Sequence, residues 1–240
     1  SAKPGTESKH DKLLQIYVTK SNAYVCIFVD EGLGGTVNNS QLQKSICCIT
    51  DEFSAVNCLE TIKQGFETKL LICYETREDV IHLVKIVDKI LPRMLKSEVE
   101  IEFHKISKFG KKSDDVLLKN SLITNIMIKS AKEKRISHIS LATSPLIFPS
   151  TYVETLQKRI FSAGIIPHIA LSGIDSEIIK NGKEIGMEKY IPKIEKFLKM
   201  NLGKPKSKLK KDEKTVKKII KVKLGPNNVH TILDSLEIEH

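Results

Sequence analysis

The stretch SICCITDEFSAVNCLETIKQGFETKLLICYE, residues 45–75, decides the fold of this chain. It begins with a short apolar run, continues with about a dozen residues whose apolar side chains recur at helical spacing, and ends with a second apolar run. A strand, a helix and a second strand in this order predict a right-handed crossover between parallel strands. Residues 45–75 therefore predict one βαβ unit of a parallel sheet.

The same alternation continues to about residue 200. Five apolar runs predict strands at residues 45–50, 69–75, 99–106, 138–143 and 165–171. Segments of helical periodicity predict helices at residues 52–64, 77–95, 114–134, 151–163, 175–186 and 190–201. Strands that alternate with helices of this length are typical of sheets covered on both faces. We therefore predict an α/β fold with a doubly wound, mainly parallel sheet.

The two ends of the chain depart from this pattern. LLQIYVTK and AYVCIFVD, within residues 12–30, predict a short β-hairpin, and a linker rich in Gly, Asn and Ser follows. Near the C-terminus, TVKKIIKVKL alternates like a strand and NNVHTILDSLEIE predicts a short helix. We divide the chain into a tail, hairpin and linker (1–44), an α/β domain (45–201), a Lys-rich linker (202–214) and a strand–helix extension (215–240).

Positive charge is concentrated in residues 204–223. This segment contains ten lysines against Asp212 and Glu213, a net charge of +8 out of +10 for the whole chain. A local cationic segment is typical of proteins that bind a polyanion. The segment has no aromatic residue on which single-stranded bases would stack, which favours structured RNA. We predict phosphate contacts from Lys204, Lys206, Lys208, Lys210, Lys211, Lys214, Lys217, Lys218, Lys221 and Lys223. A solvated tail, DNA and an anionic membrane are the alternatives.

Cysteine usage and hydropathy predict the compartment. The five cysteines are odd in number, form no CxxC pair and show no spacing typical of a zinc site, so we predict buried free thiols and no metal. No apolar run is long enough to span a bilayer, and the N-terminal residues lack the apolar core of a signal peptide. We expect a cytoplasmic protein without a membrane partner, and the sequence leaves its oligomeric state open.

The order and spacing of these elements resemble a known family. AYVCIFVDEGLGGTVNNSQLQ, followed by residues 45–75, is similar to the junction between the RNA-binding THUMP domain and the ATP-pyrophosphatase domain of tRNA thiouridine synthases. The likeness continues through NSLITNIMIKSAKEKRISHISLATS and GIDSEIIKNGKEIGMEKY to about residue 195. It implies ATP binding after the first strand of the parallel sheet and a tRNA substrate. Residues 12–30 supply only the last strands of a THUMP domain.

The chain departs from this family at the loop that would bind ATP. The family carries SGGxDS there, because glycines let backbone N–H groups approach the phosphates at a helix N-terminus. In the matching stretch, residues 49–54, the two glycines are replaced by Thr50 and Asp51, and only Ser54 is retained. We interpret Asp51 as a helix cap and Glu52 as a partner of the helix dipole. Their negative charges oppose a triphosphate.

Two other family features are also missing. After the fourth strand of the parallel sheet, the small polar signature of the family, approximately TGES, is replaced by LATS, so that Thr143 and Ser144 stand beside apolar Ile147 and Phe148. Residues 111–130 contain no cysteine, so a sulfur relay at the family position is impossible.

Three further motifs receive structural interpretations. SGIDS, residues 172–176, is a near copy of the phosphate loop but follows the wrong strand, so we interpret Asp175 as a helix cap. FGKKS, residues 109–113, predicts a solvated loop. The histidines form no catalytic group by spacing, and we predict no catalytic residue.

The leading hypothesis is a non-catalytic relative of the thiouridine synthases that binds structured RNA, either tRNA or ribosomal RNA, as a ribosome-associated component without a cofactor. A second hypothesis is an ATP-dependent tRNA-modifying enzyme with an altered loop and a partner that supplies the cysteine. A third is a protein-binding regulatory subunit.

Overall fold

The computed structural model describes residues 15–26, 39–94, 96–110, 112–173, 182–183, 186–199, 202 and 215–237. The chain divides into two units, Ser1–Gly34 and Gly35–His240. In the first unit, β1 (Gln15–Val18) pairs with antiparallel β2 (Ala23–Cys26). Thr19 closes the turn, because its N–H donates to the carbonyl oxygen of Asn22 and its Oγ1 accepts from the Asn22 N–H. The predicted hairpin is therefore present.

The second unit is built on a six-stranded sheet. Its strands are β3 (Lys44–Ile49), β4 (Glu67–Tyr74), β5 (Glu98–Lys105), β6 (His138–Ser140), β7 (Ile166–His168) and β8 (Val216–Lys223). Their order is β7-β6-β3-β4-β5-β8, in which β8 is antiparallel to β5 and every other pair is parallel. The order of the parallel strands reverses between β3 and β6. This arrangement is the predicted doubly wound, mainly parallel sheet.

Six helices are present in the described part of the second unit. They are α1 (Glu52–Lys63), α2 (Arg77–Ile90), α3 (Ser113–Lys134), α4 (Ser150–Ser162), α5 (Ile191–Leu198) and α6 (Asn228–Ser235). α1 packs against α2 and α5, whereas α3 packs against α4. Right-handed crossovers place the α1–α2 pair and the α3–α4 pair on opposite faces of the sheet. None of the helices in the ranges given above is long and apolar enough to cross a membrane.

One predicted helix is shorter in the structure, and another lies mostly outside the described residues. α2 ends at Ile90 instead of 95, and a 3-10 turn follows at Leu91–Met94. The reason is Pro92, which has no N–H to donate to the carbonyl four residues earlier. The predicted helix at 175–186, including Asp175, lies mostly outside the described residues.

Apolar side chains fill both faces of the central strands. Ile46, Ile49 and Ile72 are completely buried. Cys47, Cys48, Cys58 and Cys73 are buried free thiols, as the sequence predicts, whereas Cys26 lies in the hairpin. Burial raises the pKa of the Cys48 thiol. All four buried thiols pack within the apolar core.

The C-terminal strand joins the main sheet, and the C-terminal helix packs beside it. β8 pairs with β5 along its whole length, from Lys223 opposite Glu98 to Val216 opposite Lys105. α6 packs against α2, and the Asn228 Nδ2 donates to the Asp88 Oδ1 over 3.0 Å. β8 is thus an antiparallel edge strand beside the parallel strands.

Candidate functional site at the carboxyl edge of the sheet

Ligands of open α/β sheets bind beyond the carboxyl ends of the strands, where the strand order reverses. Here that position lies between β3 and β6. Thr50, Ser54 and Thr143, three residues singled out from the sequence, line one cavity there, together with side chains of α3. Its volume is about 10 Å³. A cavity of this size holds at most one water molecule, so among the described residues the expected nucleotide position is closed.

The loop that starts α1 uses its own side chains to satisfy its backbone N–H groups. The Asp51 carboxylate accepts from the Ser54 N–H at 2.8 Å. The Ser54 Oγ accepts from the N–H groups of Thr50, at 2.8 Å, and of Asp51, at 3.0 Å. Asp51 is therefore the helix cap that the sequence predicts, and its partner Ser54 completes a capping box. The amides that would face a phosphate are occupied within the loop.

Glu52 lies in the first turn of α1 and also connects three helices. Its side chain is only 11% exposed, and its Oε1 lies 2.9 Å from the His82 Nε2 on α2 and 2.8 Å from the Lys193 Nζ on α5. Burial acts to raise the pKa of Glu52, but the hydrogen bond from Lys193 and the contact with His82 outweigh it, so the pKa is lowered. Glu52 is thus charged, and its charge is neutralised within the protein.

The loop after β6 is built into the core. Ser144 is completely buried, and its carbonyl oxygen accepts from the Phe148 N–H at 2.9 Å. Ile147 and Phe148 are also buried. The loop thus closes over apolar side chains, as its composition indicates.

Asp51 provides a direct test of this loop geometry. We expect Asp51→Ala to lower the free energy of unfolding by about 1 kcal/mol, because the Ser54 N–H loses its acceptor. Urea unfolding of the full chain measures the change. Asp114→Ala, in the first turn of α3 but not at its cap, should change the value by less than about 0.5 kcal/mol. Equal losses in both variants would contradict the capping role.

The lysine segment is only partly described. Lys204, Lys206, Lys208, Lys210, Lys211 and Lys214 lie outside the described residues. On β8, the Lys217 Nζ lies 3.1 Å from the Glu102 Oε1 and 2.6 Å from the Glu133 Oε2. The Lys218 Nζ lies 3.2 Å from the Glu237 Oε1. Phosphate contacts by these two lysines would compete with ion pairs inside the protein.

Lys221 and Lys223 occupy a different position on the same strand. In the register of β5 and β8, Lys221 lies opposite Glu100, and Lys223 lies opposite Glu98. Both lysines are exposed. Their phosphate contacts remain a prediction from the sequence, as do those of the undescribed lysines.

The structure brings together one polar group that the sequence analysis missed. Glu102 is 1% exposed, and its Oε1 lies 2.7 Å from the His104 Nε2. The Ser130 Oγ donates to the Glu102 Oε2 over 3.0 Å, and the His104 Nδ1 lies 3.2 Å from the Thr215 Oγ1. Burial acts to raise the pKa of Glu102, but hydrogen bonds from His104 and Lys217 outweigh it and bring the pKa to about 2.

A sequence signal for this group exists. In EVEIEFH, residues 98–104, polar and apolar side chains alternate, which is typical of a strand with one polar face and not of a central parallel strand. On β8, Lys223 and Lys221 lie opposite Glu98 and Glu100 of β5, whereas Ile219 lies opposite Glu102. This charge pattern predicts an antiparallel edge pair.

A cavity of about 640 Å³ adjoins this polar group, between α3 and the paired ends of β5 and β8. Its size falls within the range of small-molecule sites. Its walls include Glu102, His104, Leu122, Asn125, Lys129 and Lys217. Among the residues with described positions, no group of three or more His, Cys, Asp or Glu side chains is arranged to hold a metal ion.

Comparison with solved structures identifies matches to this chain. The crystal structure of a 4-thiouridine synthetase–RNA complex with bound ATP matches with a TM-score of 0.56 and 16% sequence identity, over 77% of this chain and 51% of that chain. PH1313 from Pyrococcus horikoshii Ot3 matches with a TM-score of 0.49 and 13% identity, over 75% of this chain and 53% of that chain. This chain thus covers about half the length of each. No protein-family model and no curated protein matches its sequence.

Proposed function

We propose that this chain is a non-catalytic RNA-binding protein that shares the fold of the tRNA thiouridine synthases and holds structured RNA through its lysine-rich segment, residues 204–223. The observation that carries the proposal is the closed switch point between β3 and β6, where the cavity measures about 10 Å³. ATP would have to open this cavity and also break the capping box of Asp51 and Ser54.

Electrostatics oppose ATP at this loop as well. The carboxylate of Asp51 caps α1 and occupies the end of the helix that favours anions. A like-charge contact at 4 Å costs about 1 kcal/mol in water and about 4 kcal/mol at an effective dielectric constant of 20. Each phosphate charge would add to this cost. The Asp51 loop therefore supports a protein that binds RNA without using ATP.

The proposed partner follows from the charge and from the fold. Net charge of +8 in residues 204–223 favours a polyanion, and the solved structure of similar fold is a synthetase in complex with RNA. Lysines on flexible stems contact phosphates without reading bases, so the segment suits a structured RNA recognised by its backbone. We propose tRNA or ribosomal RNA as the ligand and a ribosome-associated, cytoplasmic role.

Thermal unfolding with ATP tests the loss of nucleotide binding. We expect 1 mM ATP with Mg²⁺ to leave the Tm of the full chain unchanged. A 4-thiouridine synthetase with an intact SGGxDS loop is the positive control, since a ligand at 100 times its Kd stabilises a protein by about 2.7 kcal/mol. Stabilisation of this chain by ATP would refute the non-catalytic assignment and favour the tRNA-modifying enzyme.

Sedimentation with ribosomes tests the RNA assignment. We expect the full chain to sediment with ribosomes at low salt and a deletion of residues 204–214 to remain in the supernatant, because the deletion removes six lysines. The deleted chain should keep its Tm if the remaining fold is intact. A full chain that binds neither ribosomes nor tRNA would leave the protein-binding subunit as the better hypothesis.

A further inference from the structure

We propose that the 640 Å³ cavity between α3 and the β5–β8 edge is a binding site for a single nucleotide unit, a base with its phosphate. This inference rests on the proposed function, because it assigns the cavity to an unpaired nucleotide of the bound RNA. The switch-point cavity, at about 10 Å³, is too small for such a ligand, whereas this cavity lies in the usual size range of ligand sites.

The position of the cavity connects it to the lysine segment. Thr215 and Lys217 form part of its wall at the start of β8. Lys214, the last lysine of the Lys-rich linker, directly precedes Thr215 in the sequence. The C-terminal end of the Lys-rich linker is therefore continuous in sequence with the wall of the cavity.

One face of α3 supplies most of the wall. Leu122, Asn125, Ile126 and Lys129 recur at spacings of three and four residues, which places them in one row along the helix. The flat faces of a base are apolar and pack on aliphatic side chains such as Leu122 and Ile126. The edge of a base carries donors and acceptors, which an Asn amide pairs well.

Two groups on this face are available for a ligand. The Asn125 Oδ1 accepts from the Arg159 Nη1 at 3.1 Å, and this contact holds the amide in place while leaving its Nδ2 to donate. Lys129 is exposed and makes no ion pair with the described part of the chain. Its ammonium group is therefore suited to a phosphate.

The acidic groups of the cavity do not repel a phosphate strongly. Glu102 is neutralised by Lys217 at 3.1 Å and by Lys134 at 3.3 Å, and it also contacts His104. Glu133 shares the same Lys217, at 2.6 Å, and Lys134 also pairs with Glu100. Two lysines thus offset three carboxylates, and Lys129 supplies a third positive charge at the cavity.

Titration of the full chain with the four nucleoside 5′-monophosphates, followed by amide NMR, tests the site. We expect at least one to shift the amide signals of residues on α3 that line the cavity. Lys129→Glu should weaken this binding about tenfold or more, because it replaces a charge-assisted phosphate contact with repulsion. Asn125→Leu should weaken it and reduce the difference between bases. Lys132→Glu, on α3 but outside the cavity wall, is the matched control and should change the affinity less than about twofold.

Separate outcomes distinguish this site from the RNA function. Inorganic phosphate that binds as tightly as the mononucleotides would overturn base recognition. In another outcome, RNA binds the full chain with an affinity that Lys129→Glu does not change, while no mononucleotide binds. That result would overturn the nucleotide site but leave the proposed RNA-binding function intact. A mononucleotide that binds but is not displaced by tRNA or ribosomal RNA would overturn the assignment to an RNA nucleotide. The Tm of each variant shows whether its fold is intact.

Discussion

Replacing all six lysines of the Lys-rich linker by serine should lower the affinity of the full chain for structured RNA about 10³-fold at 50 mM salt. These residues are Lys204, Lys206, Lys208, Lys210, Lys211 and Lys214. Each phosphate contact releases counterions, and a protein with six to ten such contacts loses about 10³ to 10⁵ in affinity when the salt rises from 50 to 200 mM. Removing six contacts outright should therefore cost at least about 10³ at 50 mM salt. Fluorescence anisotropy with labelled tRNA and with a ribosomal RNA hairpin measures the effect.

The salt dependence of binding separates this mechanism from a general charge effect. The slope of log affinity against log salt concentration should be shallower by about 4 to 5 in the serine variant if all six lysines contact phosphate. A control with the same net charge replaces six exposed lysines elsewhere by serine, at Lys20, Lys44, Lys85, Lys132, Lys196 and Lys199. Equal losses in the two variants would show that net charge, and not the linker, holds the RNA.

Glu102→Gln should lower the free energy of unfolding by about 3 kcal/mol. The substitution keeps the shape of the side chain but removes a buried charge that His104, Lys217 and Lys134 surround. Breaking a buried ion pair costs about 3–5 kcal/mol, and the lower end applies because Lys217 and Lys134 retain Glu133 and Glu100 as partners. Urea unfolding of the full chain measures the loss.

The acid dependence of stability gives a second measurement on the same residue. The pKa of Glu102 is about 2 in the folded chain, below the 4.5 of an ordinary glutamate. Its contribution, about 3 kcal/mol, is therefore present above pH 4.5 and is lost as the pH falls from 4.5 towards 2. The Gln variant should lack this part of the acid dependence. Glu133→Gln, a 43% exposed control, should cost less than about 1 kcal/mol. Similar losses in both variants would contradict the role of burial.

The elements that the sequence predicts correctly depend on local signals. Alternation of apolar runs with helical periodicity predicts β3 to β7 and the helices between them, and Asp51 predicts the start of α1. Ser54 lies only three residues from Asp51, so the capping box forms within one turn of chain. Short-range geometry of this kind is set by the residue types themselves.

The contacts that the sequence misses join residues far apart in the chain. Glu52 meets His82 thirty residues later and Lys193 another 111 residues beyond that. The same holds for Glu102, whose partners come from α3 and β8. Sequence spacing contains no information on these pairs until the strand order and register are known. His82 lies within the predicted helix 77–95 and His104 within the predicted strand 99–106, but only the structure shows that each contacts a buried carboxylate.

The sequence alone determines that this chain is an α/β protein with a mainly parallel sheet, because side-chain periodicity sets which face of each helix and strand is buried. It also determines where positive charge accumulates. Only the tertiary structure decides that the switch point is closed, that β8 joins the sheet beside β5, and that a cavity opens next to Glu102 and His104. These features depend on how distant side chains fill space against one another, and close packing is a property of the folded chain as a whole.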